Sequence, residues 1–397
     1  MRFLRDVLGI QGGAIGHKSF KSLDGLRGYM AWWVVAQHFL QFSGTASVAP
    51  AWLLRGDWAV NVFMILSGFV ITHLVLEQRE PFWPYIRRRA FRIVPIYWFS
   101  LVAALVASSV FQLAWVTPWV GSVQMQVDRI SLVDENFITH LILHISLMHG
   151  LFSDYILPYS SSAILSPAWS LSLEWQFYLV APFLVLSLAK PGFKRWAITI
   201  SLLLISAALK LYPEKLWQYP AFFPLSTHFF LLGIFSRVAL LQIQKSKNWG
   251  LPVAAILVWP LPVGFSVPAL IWLVFLYASL TEWQGAGRTM PSPIHEKIIR
   301  MVTENRFAVF LGQASYSTYL IHVPFLVLVA WLFRTSTGEW SKEIATFSAV
   351  VSFLFLVPLS RFLYRFVEMP FIRLGRKTRK ATTTVQETRE LTADGQA

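Results

Sequence analysis

Residues 22–42 read Ser22-Leu-Asp-Gly-Leu-Arg27-Gly-Tyr-Met-Ala-Trp-Trp-Val-Val-Ala-Gln-His38-Phe-Leu-Gln-Phe42. The run is long enough to cross a bilayer as one helix. Ionisable side chains in such a helix are costly and rare, so each is a functional candidate. Arg27 and His38 are eleven positions apart, which is close to three helical turns and roughly 16 Å along the axis. They therefore project from nearly the same face. One wall of this helix carries a permanent cation near its start and a titratable imidazole three turns deeper. That pattern suits a narrow polar passage with an anion site at one end and proton chemistry at the other.

Working outward, the 397-residue chain is 55% hydrophobic and 14% charged, with 18 Trp and 32 Phe. A soluble domain is about half apolar and about a quarter charged. The chain reads as an all-α, polytopic membrane helix bundle. Its formal charge of +14 does not imply nucleic acid. The basic residues fall between and after apolar segments, as loop Lys and Arg that set topology do. Cysteine is absent, so no disulfide framework, thiolate metal site or cysteine nucleophile is available. The basic N-terminus lacks the long apolar core of a cleaved signal peptide.

Apolar runs of helix length lie near 23–43, 58–76, 93–115, 171–189, 195–212, 221–241, 250–266, 268–283, 307–333 and 342–366. A shorter run, 137–152, is too short to span and reads as re-entrant or interfacial. With a cytoplasmic N-terminus, ten spans leave the basic segments 87–92, 190–195, 245–247, 288–300 and 373–380 inside. The less basic segments 44–57, 116–170, 213–220 and 334–341 then fall outside, as the positive-inside rule requires. Both termini are expected in the cytoplasm. The chain divides into a cytoplasmic segment 1–22, a transmembrane domain 23–376 and a polar, disordered tail 377–397.

Further motifs carry candidate chemistry. In Asn61-Val-Phe-Met-Ile-Leu-Ser67-Gly68, the small residues are read as helix-packing positions. In Arg87-Arg88-Arg89-Ala-Phe-Arg92, Arg89 and Arg92 share a helix face, and guanidinium forks suit phosphate. In Trp169-Ser-Leu-Ser-Leu-Glu174-Trp-Gln-Phe-Tyr178, a carboxylate lies just inside an apolar helix and needs a partner. Glu174 is placed in the same leaflet as His38, as the group that orients or charges the imidazole. In Ser315-Tyr-Ser-Thr-Tyr-Leu-Ile-His322, a second histidine lies about fifteen residues into a helix. Glu368-Met-Pro370 ends the last span, with Glu368 read as a cap or ion-pair partner. His140 and His144 are four apart, but no third metal ligand is apparent.

Together these runs resemble the acyltransferase 3 family of integral membrane acyltransferases. The resemblance spans Ser22 to Arg376 and rests on LDGLRG with its following His, FMILSGFVIT, RRRAFRIVPIYW, WSLSLEWQFYL, SYSTYLIH and FVEMPF. Two departures are noted: Asn61 stands where an acid is common, and Trp175 stands where a second Glu is common. The resemblance implies transfer of an acyl group, most often acetyl from acetyl-CoA, to a hydroxyl of a cell-surface, secreted or lipid-linked carbohydrate. It implies a multi-pass inner (plasma) membrane protein with no resident metal, whose partners are acyl-CoA, a carbohydrate or glycolipid acceptor, membrane lipids and polysaccharide-assembly proteins. Arg27, Arg89 and Arg92 would then hold the CoA phosphates. His38 would act as general base or carry the acyl group transiently, with Glu174 beside it and Tyr178 or His322 assisting at the thioester carbonyl. A transporter or flippase for a glycan intermediate is the rival. It would more typically show paired inverted repeats, and none is evident.

Overall fold

The computed structural model describes residues 21–375 apart from 79, 118, 120–122, 213–215, 247–265 and 284–293. The expected span at 250–266 and the polar tail 377–397 lie outside the described residues, as does nearly all of segment 1–22. Among the described residues every regular element is helical. In chain order they are α1 (Lys21–Phe42), α2 (Gly56–Gln78), α3 (Phe82–Trp115), α4 (Val123–Glu135), α5 (Phe137–Ile145), α6 (Trp169–Ala189) and α7 (Phe193–Leu211). There follow α8 (Phe223–Ser246), α9 (Val267–Trp283), α10 (Ile294–Thr303), α11 (Arg306–Gln313), α12 (Ser315–Thr337) and α13 (Lys342–Leu363).

Among the described residues, six helices are long and apolar enough to cross a membrane: Gly56–Glu77, Phe82–Phe111, Ser166–Ala189, Phe223–Leu241, Ser315–Thr337 and Lys342–Gly375. The chain is thus a multi-pass membrane protein. α1 is helical as expected, but Asp24, Arg27, Gln37, His38 and Gln41 dilute its apolar character. α7 is diluted likewise by Lys194, Arg195 and Lys210. α3 has 34 residues, a rise of about 51 Å against about 30 Å of hydrocarbon, so its arginine-bearing first turns can reach beyond the hydrocarbon. The segment 137–152 holds only the nine residues of α5, a rise of about 13 Å, followed by turns.

One expected span is corrected. The run 307–333 is not one helix: it breaks at Ala314 into α11 and α12. Asn305 starts α11 by accepting from Ala308 N at 2.8 Å, a standard N-cap. α12 restarts under a buried carboxylate: Glu368 Oε1 accepts from Ser317 N at 3.0 Å and also from Ser317 Oγ. A carboxylate there satisfies orphan amides and meets the positive end of the helix dipole. Glu368 closes a π-turn, Tyr364–Glu368, which interrupts the regular ladder after α13. Of the cap and ion-pair roles expected of Glu368, the structure shows it accepting at the start of α12, not at the end of its own helix.

Glycines let key helices approach closely. A Cβ on Gly28 of α1 would sit 2.8 Å from Gly312 N and 2.9 Å from Ala308 O of α11. A Cβ on Gly68 of α2 would run into Phe230 O of α8, and one on Gly233 into Ile65 O. Gly68 is thus the packing residue its motif suggested. α1, α2, α3, α6 and α12 form the inner group that carries the site, with α1 against α2, α11 and α12, and α3 against α12.

Candidate functional site

Two chambers lie along this inner group. The larger, about 1130 Å³, is lined by His38, Gln37, Gln41, Asn61, Arg129, Trp169 and Tyr319, among others. Its lining also includes Ala46, Gly56, Ser162 to Pro167 and Gln218 to Pro220. These belong to the segments that the charge pattern assigns to the outside. The smaller chamber, about 30 Å³, is lined by Arg27, Phe63, Ser67, Ser170, Glu174, Tyr316 and Tyr319. Arg27 and His38 therefore serve different chambers from one helix, as their three-turn spacing suggested. Tyr319 lines both, and its hydroxyl accepts from Ser170 Oγ at 2.9 Å.

The imidazoles of His38 and His322 form a pair, with His322 Nε2 and His38 Nδ1 3.1 Å apart. His38 Nδ1 also lies 3.1 Å from Val34 O, and His322 Nδ1 lies 2.7 Å from Tyr319 O. A carbonyl can only accept, so the network assigns a proton to Nδ1 of each ring. His322 Nε2 is then an acceptor, and His38 Nδ1–H is shared between it and Val34 O. That leaves the lone pair of His38 on Nε2, the atom a general base needs. His322 is fully buried, while His38 lines the large cavity.

Glu174 is not where sequence reasoning placed it. It forms no hydrogen bond with His38. Its Oε1 accepts from Ser67 Oγ at 2.7 Å, Tyr178 OH at 2.5 Å and Tyr316 OH at 2.9 Å. Three hydroxyls of three helices converge on it, and Arg27 lines the same chamber. Tyr178 is thus committed to Glu174 rather than directed at a reacting carbonyl. The physical reason is the relative offset of the helices. Glu174 lies in the second turn of α6, yet it meets Ser67 midway along α2.

The arginines close round this carboxylate. Arg89 Cζ stands 5.9 Å from the Tyr178 ring centre and Arg92 Cζ 5.3 Å from that of Tyr316, within cation–π range. Arg27 pairs with Asp24 at 3.1 Å, and Arg88 is taken up by Glu80. Arg89 and Arg92 form no salt bridge among the described residues. Both positions chosen for a shared face therefore keep a charge to offer an anion.

Ser67, Ser170, Tyr316 and Tyr319 were missed as site residues. A signal existed for the tyrosines: Tyr316, Tyr319 and His322 step by three, about 60° of helix rotation each, so they share one side of α12. No sequence signal selected the two serines. His140 and His144 lie on one helix, α5. His144 stacks on His149 at 4.1 Å and 11°, and in-plane lone pairs of these two parallel rings do not converge on one ion. No group of three or more candidate ligands stands together among the described residues.

The family model described as "Acyltransferase domain" (acyltransferase 3) matches residues 20–364. The chain is 23% identical to the O-acetyltransferase OatA of Staphylococcus aureus over 395 residues, covering 89% of this chain and 57% of OatA. It is 27% identical to the acyltransferase MdmB of Streptomyces mycarofaciens over 393 residues, covering 91% and 94%. The chain thus spans little more than half the length of OatA. No solved structure matches it.

Proposed function

Because the chain belongs to the acyltransferase 3 family, we propose that this membrane acyltransferase moves an acyl group, most often acetyl, from acyl-CoA to a hydroxyl of a carbohydrate or glycolipid. The observation that carries this reading is the division of one helix between two chambers, cation at one and base at the other. The name of the O-acetyltransferase OatA supports O-acyl transfer in particular, and that of the acyltransferase MdmB supports acyl transfer.

In this reading the arginine end faces the cytoplasm of a plasma membrane, where CoA is. Arg89, Arg92 and Arg27 hold its phosphates, and Glu174 holds Tyr178 and Tyr316 as walls of the channel. The thin pantetheine arm passes Tyr319 toward His38. In the large cavity the acceptor hydroxyl gives its proton to His38 Nε2 as its oxygen attacks the thioester carbonyl. The C–O bond forms, the C–S bond breaks, and the leaving thiolate takes the proton back from the imidazolium. His322 Nε2 accepts the His38 Nδ1–H bond throughout, which fixes the tautomer and supports the transient positive charge. No metal enters these steps.

The test is acyl transfer by the purified full chain with labelled acetyl-CoA and a panel of glycosides. Ester product with release of free CoA is the expected result. His38→Ala should lower the rate by about 10²–10⁴-fold, the usual share of general-base catalysis. Glycan uptake into vesicles without ester formation would replace this reading with the transporter one.

A further inference from the structure

The steps above use His38 in the large cavity but leave a cation of the same cavity without a role. Among the described residues, Arg129 of α4 is the only Lys or Arg that lines it. Its Nη2 donates to Ser162 O at 2.7 Å and to Ser162 Oγ at 3.3 Å. Ser162 Oγ in turn donates to Gln218 Oε1 at 2.9 Å. The guanidinium lies over Tyr159, 5.4 Å from the ring centre. Tyr159 itself holds a positive φ of 57°, a conformation that costs a tyrosine free energy. Nε and Nη1 of Arg129 make no hydrogen bond among the described residues.

These contacts hold the cation without neutralising it. Arg129 forms no ion pair among the described residues. Burial is the largest influence on it and draws the guanidinium below its ordinary range, against Tyr219, Tyr159 and Asp154. The acids around the cavity are otherwise placed. Asp154 accepts from Gln218 N, and Asp57 is bound through both oxygens by Arg55. Asp134 also lines the cavity but is exposed, five residues further along α4. A guanidinium that has lost water without gaining a carboxylate favours one brought by a ligand. One arginine offers one planar fork, which matches a carboxylate; a dianion would meet a single cation and the field of Asp134. Nearby, Tyr219 stacks on Trp169 at 5.5 Å and 16°, and both line the cavity, where they give a sugar ring a flat face.

We propose that the acceptor sugar carries a carboxylate, as a uronic acid does, and that Arg129 binds this group while a hydroxyl of the same molecule reaches His38. The proposal rests on the reading of this cavity as the acceptor site. Arg129 is then a specificity-determining residue that selects the acceptor by charge, apart from the arginines that hold CoA.

The test uses the full chain in lipid nanodiscs with labelled acetyl-CoA at low salt. The acceptors are methyl uronosides of the gluco and galacto series, each beside its own carboxamide. Acid and amide have the same hydroxyls and differ by one charge. For at least one series kcat/KM should favour the acid by ~10-fold or more, the worth of a hydrogen bond to a charged group. That preference should shrink as salt rises. Both acceptors meet the same donor, so the acid-to-amide ratio is blind to the salt dependence of CoA binding. Arg129→Gln should abolish the preference. Arg129→Lys, which keeps the charge but not the fork, should lower it by ~3-fold or more. A melting curve identifies a variant that fails to fold, and the other then decides. Equal rates on acid and amide in the wild type, or a preference that the folded variants keep in full, overturns the proposal while leaving the acyltransferase reading intact. Ester on neutral glycosides but on neither uronoside does the same. No ester on any glycoside overturns both.

Discussion

His38 and His322 form a base and its support. The Nδ1–H of His38 is held by Val34 O and His322 Nε2, and losing one such acceptor costs about 1 kcal/mol of orientation, roughly 5- to 10-fold in rate. His322→Ala should therefore lower kcat by about that factor and leave KM for acetyl-CoA unchanged, in steady-state kinetics on the purified protein. An unchanged kcat would remove His322 from the base. Glu174 makes a different claim. Glu174→Ala strands the hydroxyls of Ser67, Tyr178 and Tyr316, at about 1–3 kcal/mol for each buried unsatisfied group. The melting temperature should fall further for Glu174→Ala than for Glu174→Gln, which keeps an acceptor oxygen; equal shifts would contradict the network. Arg27, His38, Arg89 and Arg92 were legible in the sequence because burial cost and helical spacing are properties of one segment. The partners of Glu174 were not, because the sequence gives order along a helix but not the vertical offset between helices.

Glycine contacts hold α1 to α11 and α2 to α8, and here the element boundaries matter. Gly28→Ala places a carbon 2.8 Å from Gly312 N and 2.9 Å from Ala308 O. Backbone cannot yield as a side-chain tip can, so the cost should be about 1–3 kcal/mol. It should appear as a lower melting temperature together with weakened activity, because Arg27 is adjacent on α1. A variant that melts with the wild type would mean that α1 and α11 stand further apart than described. The lengths of α2, α6 and α13 were readable from apolar runs. The break at Ala314 was not: the small and polar residues Gly312 to Thr318 do not by themselves mark a helix end, and the cap that Glu368 supplies to Ser317 lies some fifty residues downstream. The short α5 was correctly excluded as a span by length alone.

The molecule as a whole separates an arginine end from a histidine cavity, with Tyr319 between them. At the end of α5 and in the turns after it, burial lowers His144 well below its ordinary range and pushes His149 down to about 4. Their folded-state pKa lies below the unfolded value, so the unfolded chain binds more protons in the interval between the two. Stability should be complete above about pH 6.5 and fall as pH drops toward 4, by at most about 1.4 kcal/mol per pH unit for each histidine. Melting curves across that range should show the slope, and His149→Gln should flatten it. At the arginine end, the dissociation constant of CoA should rise with salt as phosphate contacts are screened, and rise again on Arg89→Ala. A constant insensitive to both would take the arginines out of the donor site. The central claim is that donor and acceptor approach from opposite faces and meet at His38. Vesicles carrying the full chain, loaded with labelled acetyl-CoA and given an alkyl glycoside only on the outside, test it most directly. The account expects labelled ester on the external glycoside from the wild type and none from His38→Ala. Ester that forms only when donor and acceptor share one compartment would contradict it.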